Sequence, residues 1–314
     1  MIIQPTMKKH LLLSFLLVLS LGLYAQNTYS DSGVTCVAYW KKNDVRVFTI
    51  AKYEEKSLDQ DRSEVKLVSY DVTIRVLDST KDGYKLEWKQ GNVNIKGMDS
   101  VANALAGKLL SGVKFIYSTD DVGSFKELLN WKEVRDFYVN MLKMQFSKNR
   151  ADSISRAMIE NMIANLSTKE SVEAIMIKEV QLLYNPYGVE FPKQALSTET
   201  ELPNMLGGQP FPAILTFSMG AVDVKNNLAT VLITQEVDKE KGKSILLDLL
   251  QKMSRGASLS DINRTIEKVE ITDKISLTFH LATGWQSKVE YVRIVDMGNG
   301  YQKTQYTIEE KKVQ

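Results

Sequence analysis

"EVKLVSYDVTIRVLDSTKDGYKLEWK", residues 64–89, holds the fold in miniature. Its first sixteen residues are rich in β-branched and aromatic side chains, and "LVSYDVTIRVL" alternates apolar with polar over part of its length. That period suits a pleated strand with one buried face. Asp82-Gly83 then marks a tight hairpin turn, because glycine accepts the positive φ that such turns demand. "YKLEWK" leads the chain back. A strand that returns after a few polar residues pairs antiparallel, without a crossover helix.

The same grammar extends outward. "VRVFTIAKYE" (45–54) is a further strand, and "VKFIYSTDDVGSF" (113–125) is a strand, a turn and a second short strand. "DSVANALAGKLLSG" (99–112) predicts a short helix. Beyond 212, "FPAILTFSM" and "NLATVLITQEV" are strands. "KSILLDLLQKMS" is a helix, with "LSDINRTIEKV" as a candidate second. "VEITDKISLTFHL", "SKVEYVRIVD" and "YQKTQYTIEE" close the chain as three strands.

Between these blocks the period changes from two to 3.6. Trp131, Val134, Tyr138, Met141 and Leu142 share one helical face, as do Ile154, Met158, Met162 and Leu166. Val172, Ile175, Val180 and Leu183 continue the pattern. Ser167 with Glu170 three residues on has the form of a capping box. Residues 131–184 therefore form a run of three amphipathic helices. Five of the six prolines fall in 185–212, which predicts a long connector, with "YGVEF" as a short edge strand within it. The fold class is α+β, built on an antiparallel sheet.

The start, "MKKHLLLSFLLVLSLGLYAQ" (7–26), has two lysines, then an apolar run from Leu11 to Leu23, then Ala25. That is the layout of a signal peptide, and the run is shorter than the roughly 20 residues of a spanning helix. The expectation is removal of 1–25, leaving 26–314 as a single exported α+β domain without an integral membrane segment, in the periplasm or outside the cell. The "LYAQ" ending resembles signal peptides of Bacteroidota secreted proteins. Cys36 lies too far from Ala25 to be a lipidated cysteine at the cleavage site.

Composition narrows the chemistry. Without Lys8 and Lys9 the chain carries 38 basic and 38 acidic residues, so no global field favours nucleic acid or an anionic membrane. Cys36 is the only cysteine, and His280 is the only histidine beyond the start. These supply no zinc ligand cluster and no nucleophile motif around the histidine. No cofactor motif occurs, and the reading is of a protein without cofactor or metal. Asp78, Thr80 and Asp82 imitate half a calcium loop, but the position that needs glutamate is Lys89. Carboxylate-only chemistry, as in glycoside hydrolases, remains open, with no pair of acids singled out.

Met141, Met144, Met158, Met162 and Met176 crowd the helical run. Methionine adapts to irregular apolar shapes. Phe137, Met141, Met158 and Met162 are the candidate lining of a ligand cavity. "FHLATGWQSKVEYVRIV" (279–295) resembles the C-terminal strand pair of uncharacterised Bacteroidota secreted proteins, in which a Thr-Gly-Trp turn joins two strands. The strand–helix–strand order is also similar to the periplasmic lipoprotein-carrier fold. That resemblance implies a curved antiparallel sheet, an open half-barrel, with helices packed on its concave face. It implies no particular ligand residues. The expected function is an exported, non-catalytic binding protein for a lipid-like or other apolar ligand, with an envelope assembly partner as the alternative.

Overall fold

The structure is a computed structural model and describes residues 29–59, 62–97, 103, 107, 111, 113–148, 160, 163–202, 209–253, 265–296 and 300–311. The start of the chain, read as a signal peptide, lies outside the described residues, as do Met158 and Met162 and most of the helix expected at 99–112.

The strands are β1 (Gly33–Thr35), β2 (Val45–Asp59), β3 (Arg62–Thr80), β4 (Gly83–Ile95), β5 (Lys114–Thr119), β6 (Phe125–Leu128), β7 (Glu190–Pro192), β8 (Leu196–Leu202), β9 (Phe211–Asp223), β10 (Leu228–Val237), β11 (Glu270–His280), β12 (Gln286–Asp296) and β13 (Tyr301–Glu310). The helices are α1 (Trp131–Lys148), α2 (Lys169–Met176), α3 (Lys178–Tyr184) and α4 (Lys239–Met253). Eleven strands make one sheet in the order β6-β5-β4-β3-β2-β13-β12-β11-β10-β9-β8, and β1 pairs with β7 beside it. Every pairing is antiparallel. The sheet is open and curved, with the helices on its concave face. No described helix is long and apolar enough to cross a membrane.

The 64–89 stretch forms the β3–β4 hairpin as read, with Thr80 facing Gly83 and Gly83 at φ 135°. Hairpins build both halves of the sheet. Among the described strands, only the β13–β2 pairing joins them, from Gln302↔Lys56 to Glu310↔Phe48.

Two expectations in the middle of the chain change. The helix predicted after Ser167 is two helices, broken at Ile177 (φ −124°, ψ 33°). Its cap is Thr168, whose side chain accepts from Ser171 N, so the capping box on Ser167 is one residue off. Both residues can cap, and the one whose backbone is extended does so. The 185–212 connector is also partly sheet. "LSTETEL" is β8, the edge strand beside β9, and β7 seals β1. The prolines of described strands stand at strand ends, Pro192 in β7 and Pro212 in β9, where a missing N–H costs least.

The main core gathers strands of both blocks, β2 to β5 and β10 to β13, with residues 34–40, α2 and α3. Trp40 sits at its centre, 4.7 Å from Trp285 and 5.6 Å from Tyr184 between ring centroids. A second core lies where α4 covers β9: Leu246 packs with Leu202, Phe211, Ala213, Ile266, Val269 and Ile271.

Candidate functional site

Register turns these strands into rows. In antiparallel pairs, residues directly opposite each other project to the same face. The row Met219–Val231–Leu277–Val289–Ile308–Ile50 crosses six strands and is apolar throughout. It lies in or against the main core. Two residues further along each strand, the row begins with Leu196, Phe217, Ile233 and Ile275, and continues with Tyr291, Tyr306 and Lys52. The next row holds Gln235, Asp273, Arg293, Thr304 and Glu54. Beyond it, Ala213, Ile271 and Val295 belong to or pack against the second core. A belt of polar side chains thus separates two apolar cores on the concave face, and α3 overhangs it from one side.

Asp273 is the hub. It accepts from Tyr291 Oη at 3.1 Å, and its other oxygen faces Arg293 Nη1 at 3.5 Å. Both side chains of this ion pair are nearly buried, at 13% and 14% exposure. Lys178, the first residue of α3, donates to Tyr291 Oη at 3.2 Å, and its ammonium lies 4.6 Å from that ring's centroid. Alongside, Lys52 pairs with Glu54 at 2.7 Å and lies over the Tyr306 ring. Glu179 of α3 approaches Tyr70, Tyr138 and Tyr306.

Burial dominates the titration of this belt. It lowers Lys178, against the pull of Asp273, and raises Asp273 above its ordinary 3.8, against the pull of Arg293 and Lys178. Burial, then Glu179, raises the Tyr70 hydroxyl strongly and the Tyr138 hydroxyl to about 12. Burial would lower Lys52, but Glu54 and Tyr306 together raise it. The tyrosines are therefore neutral hydroxyls near neutral pH, able to donate. The belt offers hydrogen bonds and charges of both signs next to apolar surface, an arrangement suited to binding and orienting a molecule with two unlike ends.

The Asp273 shift carries a pH signature. A carboxyl whose folded pKa is raised contributes fully below the unfolded value, 3.8, and loses that contribution as pH rises through the folded value. Asp273→Asn has no proton to lose at this site. It is expected to gain stability relative to wild type as pH climbs from 3.8 towards neutrality. Urea unfolding of both proteins across that range checks this. The opposite slope would mean that Arg293 and Lys178 outweigh burial.

The apolar start of the mixed row is not sealed. Leu196 is 53% exposed, while Phe217, Ile233 and Ile275 are half-buried against the main core. Phe191 of β7 meets Phe217 edge to face at 6.2 Å and bounds this strip on one side.

Of the residues the sequence singled out, Phe137 and Met141 lie half-buried on α1. Phe137 packs against the main core and edge to face on Tyr138, at 5.5 Å. Tyr138, not Phe137, reaches the belt through Glu179. Met158 and Met162 fall outside the described residues. His280 ends β11 and faces Glu310 at 3.2 Å, and Cys36 is fully buried with Gln286 beside its sulfur. No group of three metal-ligating side chains occurs among the described residues. The belt itself was invisible in the sequence. The one local trace is the charged positions 273 and 293 within otherwise apolar inward series, Ile271–Ile275 and Tyr291–Val295.

No family model and no curated protein matches the chain. Among solved structures, a chain from a study of lipid–protein interactions in lipovitellin is 9% identical, with a TM-score of 0.42 over 87% of this chain. DynF from the dynemicin biosynthesis pathway of Micromonospora chersina is 4% identical, with a TM-score of 0.19, covering 91% of this chain and 92% of its own. This chain spans only 26% of the lipovitellin chain, and neither likeness carries a functional argument.

Proposed function

We propose that this chain is an exported, non-catalytic binding protein of the cell envelope that holds a lipid-like ligand on its concave face. The observation that carries the reading is the strip of Leu196, Phe217, Ile233 and Ile275, left partly open and ending at the polar belt. Apolar surface placed inside a curved sheet beside a few convergent polar groups is the common form of a ligand site. Export rests on the signal-like residues 7–25.

The test is native mass spectrometry of protein purified gently from its own envelope, followed by organic extraction. A stoichiometric apolar molecule in the extract supports the reading and gives the ligand class. A clean apo mass, with no uptake of added amphiphiles, refutes it. One observation favours the assembly-partner alternative: β8 pairs only with β9 among the described strands, leaving its other edge free for strand addition. Cross-linking in the native envelope would then trap a partner at β8.

A further inference from the structure

We infer that the ligand is a single-chain amphiphile with a zwitterionic head, its head seated on Lys178, Asp273 and Arg293. This rests on the binding reading above and specifies its chemistry. The length comes from the rows. Leu196 to Tyr291 spans β8 to β12 in four strand steps. At about 4.8 Å per step that is about 19 Å, somewhat more than the roughly 15 Å depth of one leaflet of a bilayer's hydrocarbon core. A single acyl chain would lie along that path, with its end at Leu196, the exposed member of the strip.

The head follows from charge. The belt's cations, Lys52, Lys178 and Arg293, are matched in number by its carboxylates, Glu54, Asp273 and Glu179. A ligand with net negative charge would compete with Asp273 for its two cations and leave a nearly buried carboxylate unpaired. A net cation would do the same to Lys178 and Arg293. Either outcome is costly where water is scarce. A zwitterion meets both signs at once. Its anion faces Lys178 and Arg293. Its cation faces Asp273 and Glu179, beside tyrosines whose ring faces attract cations.

The experiment titrates the purified protein with lysophosphatidylcholine and with lysophosphatidylglycerol of the same chain length, below their micelle concentrations, by calorimetry. The zwitterion is expected to bind about tenfold more tightly or better. In Lys178→Gln, at the half-buried first position of α3, that preference should fall to within about threefold. Asp273→Asn with Arg293→Gln should do the same, with circular dichroism confirming the fold of each variant. Ile233→Glu, in the strip, should abolish binding of both lipids. Equal or tighter binding of lysophosphatidylglycerol overturns the zwitterion inference and leaves the binding reading standing. Binding of neither lipid, together with an apo native mass, overturns both.

Discussion

Gly284→Ala is expected to destabilise the protein by about 3–4 kcal/mol. Gly284 sits at φ 71° in the turn between β11 and β12, where an L side chain costs about 1–2 kcal/mol. Space is the larger problem. A Cβ would stand 2.7 Å from the Val37 carbonyl carbon and 3.0 Å from Ala38 Cα, both backbone atoms. Relieving that overlap adds roughly 1–3 kcal/mol. The turn is also a joint: Gly284 N donates to His280 O at 2.7 Å, and its carbonyl accepts from the buried Tyr187 hydroxyl. Pushing it away disturbs Trp285, which packs on Trp40. Gly97 is the control, since it has φ 90° but nothing within 4 Å of an added Cβ. Gly97→Ala should show only the conformational part, about 1–2 kcal/mol. Urea midpoints at unchanged slope measure both. Equal losses in the two variants would mean that the close approach to Val37 contributes nothing.

Tyr184→Ala is expected to cost about 3–5 kcal/mol, as for other buried aromatic truncations. Tyr184 ends α3 and is 1% exposed, ringed by Trp40, Tyr117 and Tyr187 at 5.3–5.9 Å between centroids. Its hydroxyl accepts from Tyr117 at 2.8 Å, and both residues are buried. Alanine leaves a cavity under α3 and orphans that donor. Tyr184→Phe separates the two effects: the volume stays, the donor is orphaned, and about 1–2 kcal/mol is lost. Because α3 also carries Lys178, the alanine variant should bind the amphiphile less well, while the phenylalanine variant keeps most affinity. If phenylalanine costs as much as alanine, the hydrogen bond, not packing, holds α3 down.

Much of the sheet was legible because its information is local. Alternation over five to ten residues and a turn such as Asp82-Gly83 need no distant partner. His280 at a strand end, the β5–β6 turn and the three closing strands follow the same logic. Three features misled. The break at Ile177 carries neither proline nor glycine, and Ile177 is fully buried. The chain leaves helical geometry there between α2, which packs against α1 and β6, and α3, which packs on β12. Thr168 caps in place of Ser167 because the backbone, not residue type, selects between two competent neighbours. β8 looked like connector because Ser, Thr and Glu dominate it. An edge strand with one open side needs little apolar surface, and β9 supplies its pairing.

The amino-acid order alone sets the antiparallel hairpins, the helical interruption and the scarcity of histidine and cysteine, since each depends on neighbours in sequence or on simple counting. The polar belt depends on registers. Lys52, Lys178, Asp273 and Arg293 come together only because β13 pairs with β2 in one register and α3 docks on β12. A slip of one residue at any of those pairings would turn the inward charges outward. Such choices rest on burial summed over the whole sheet, and only the packed chain makes them.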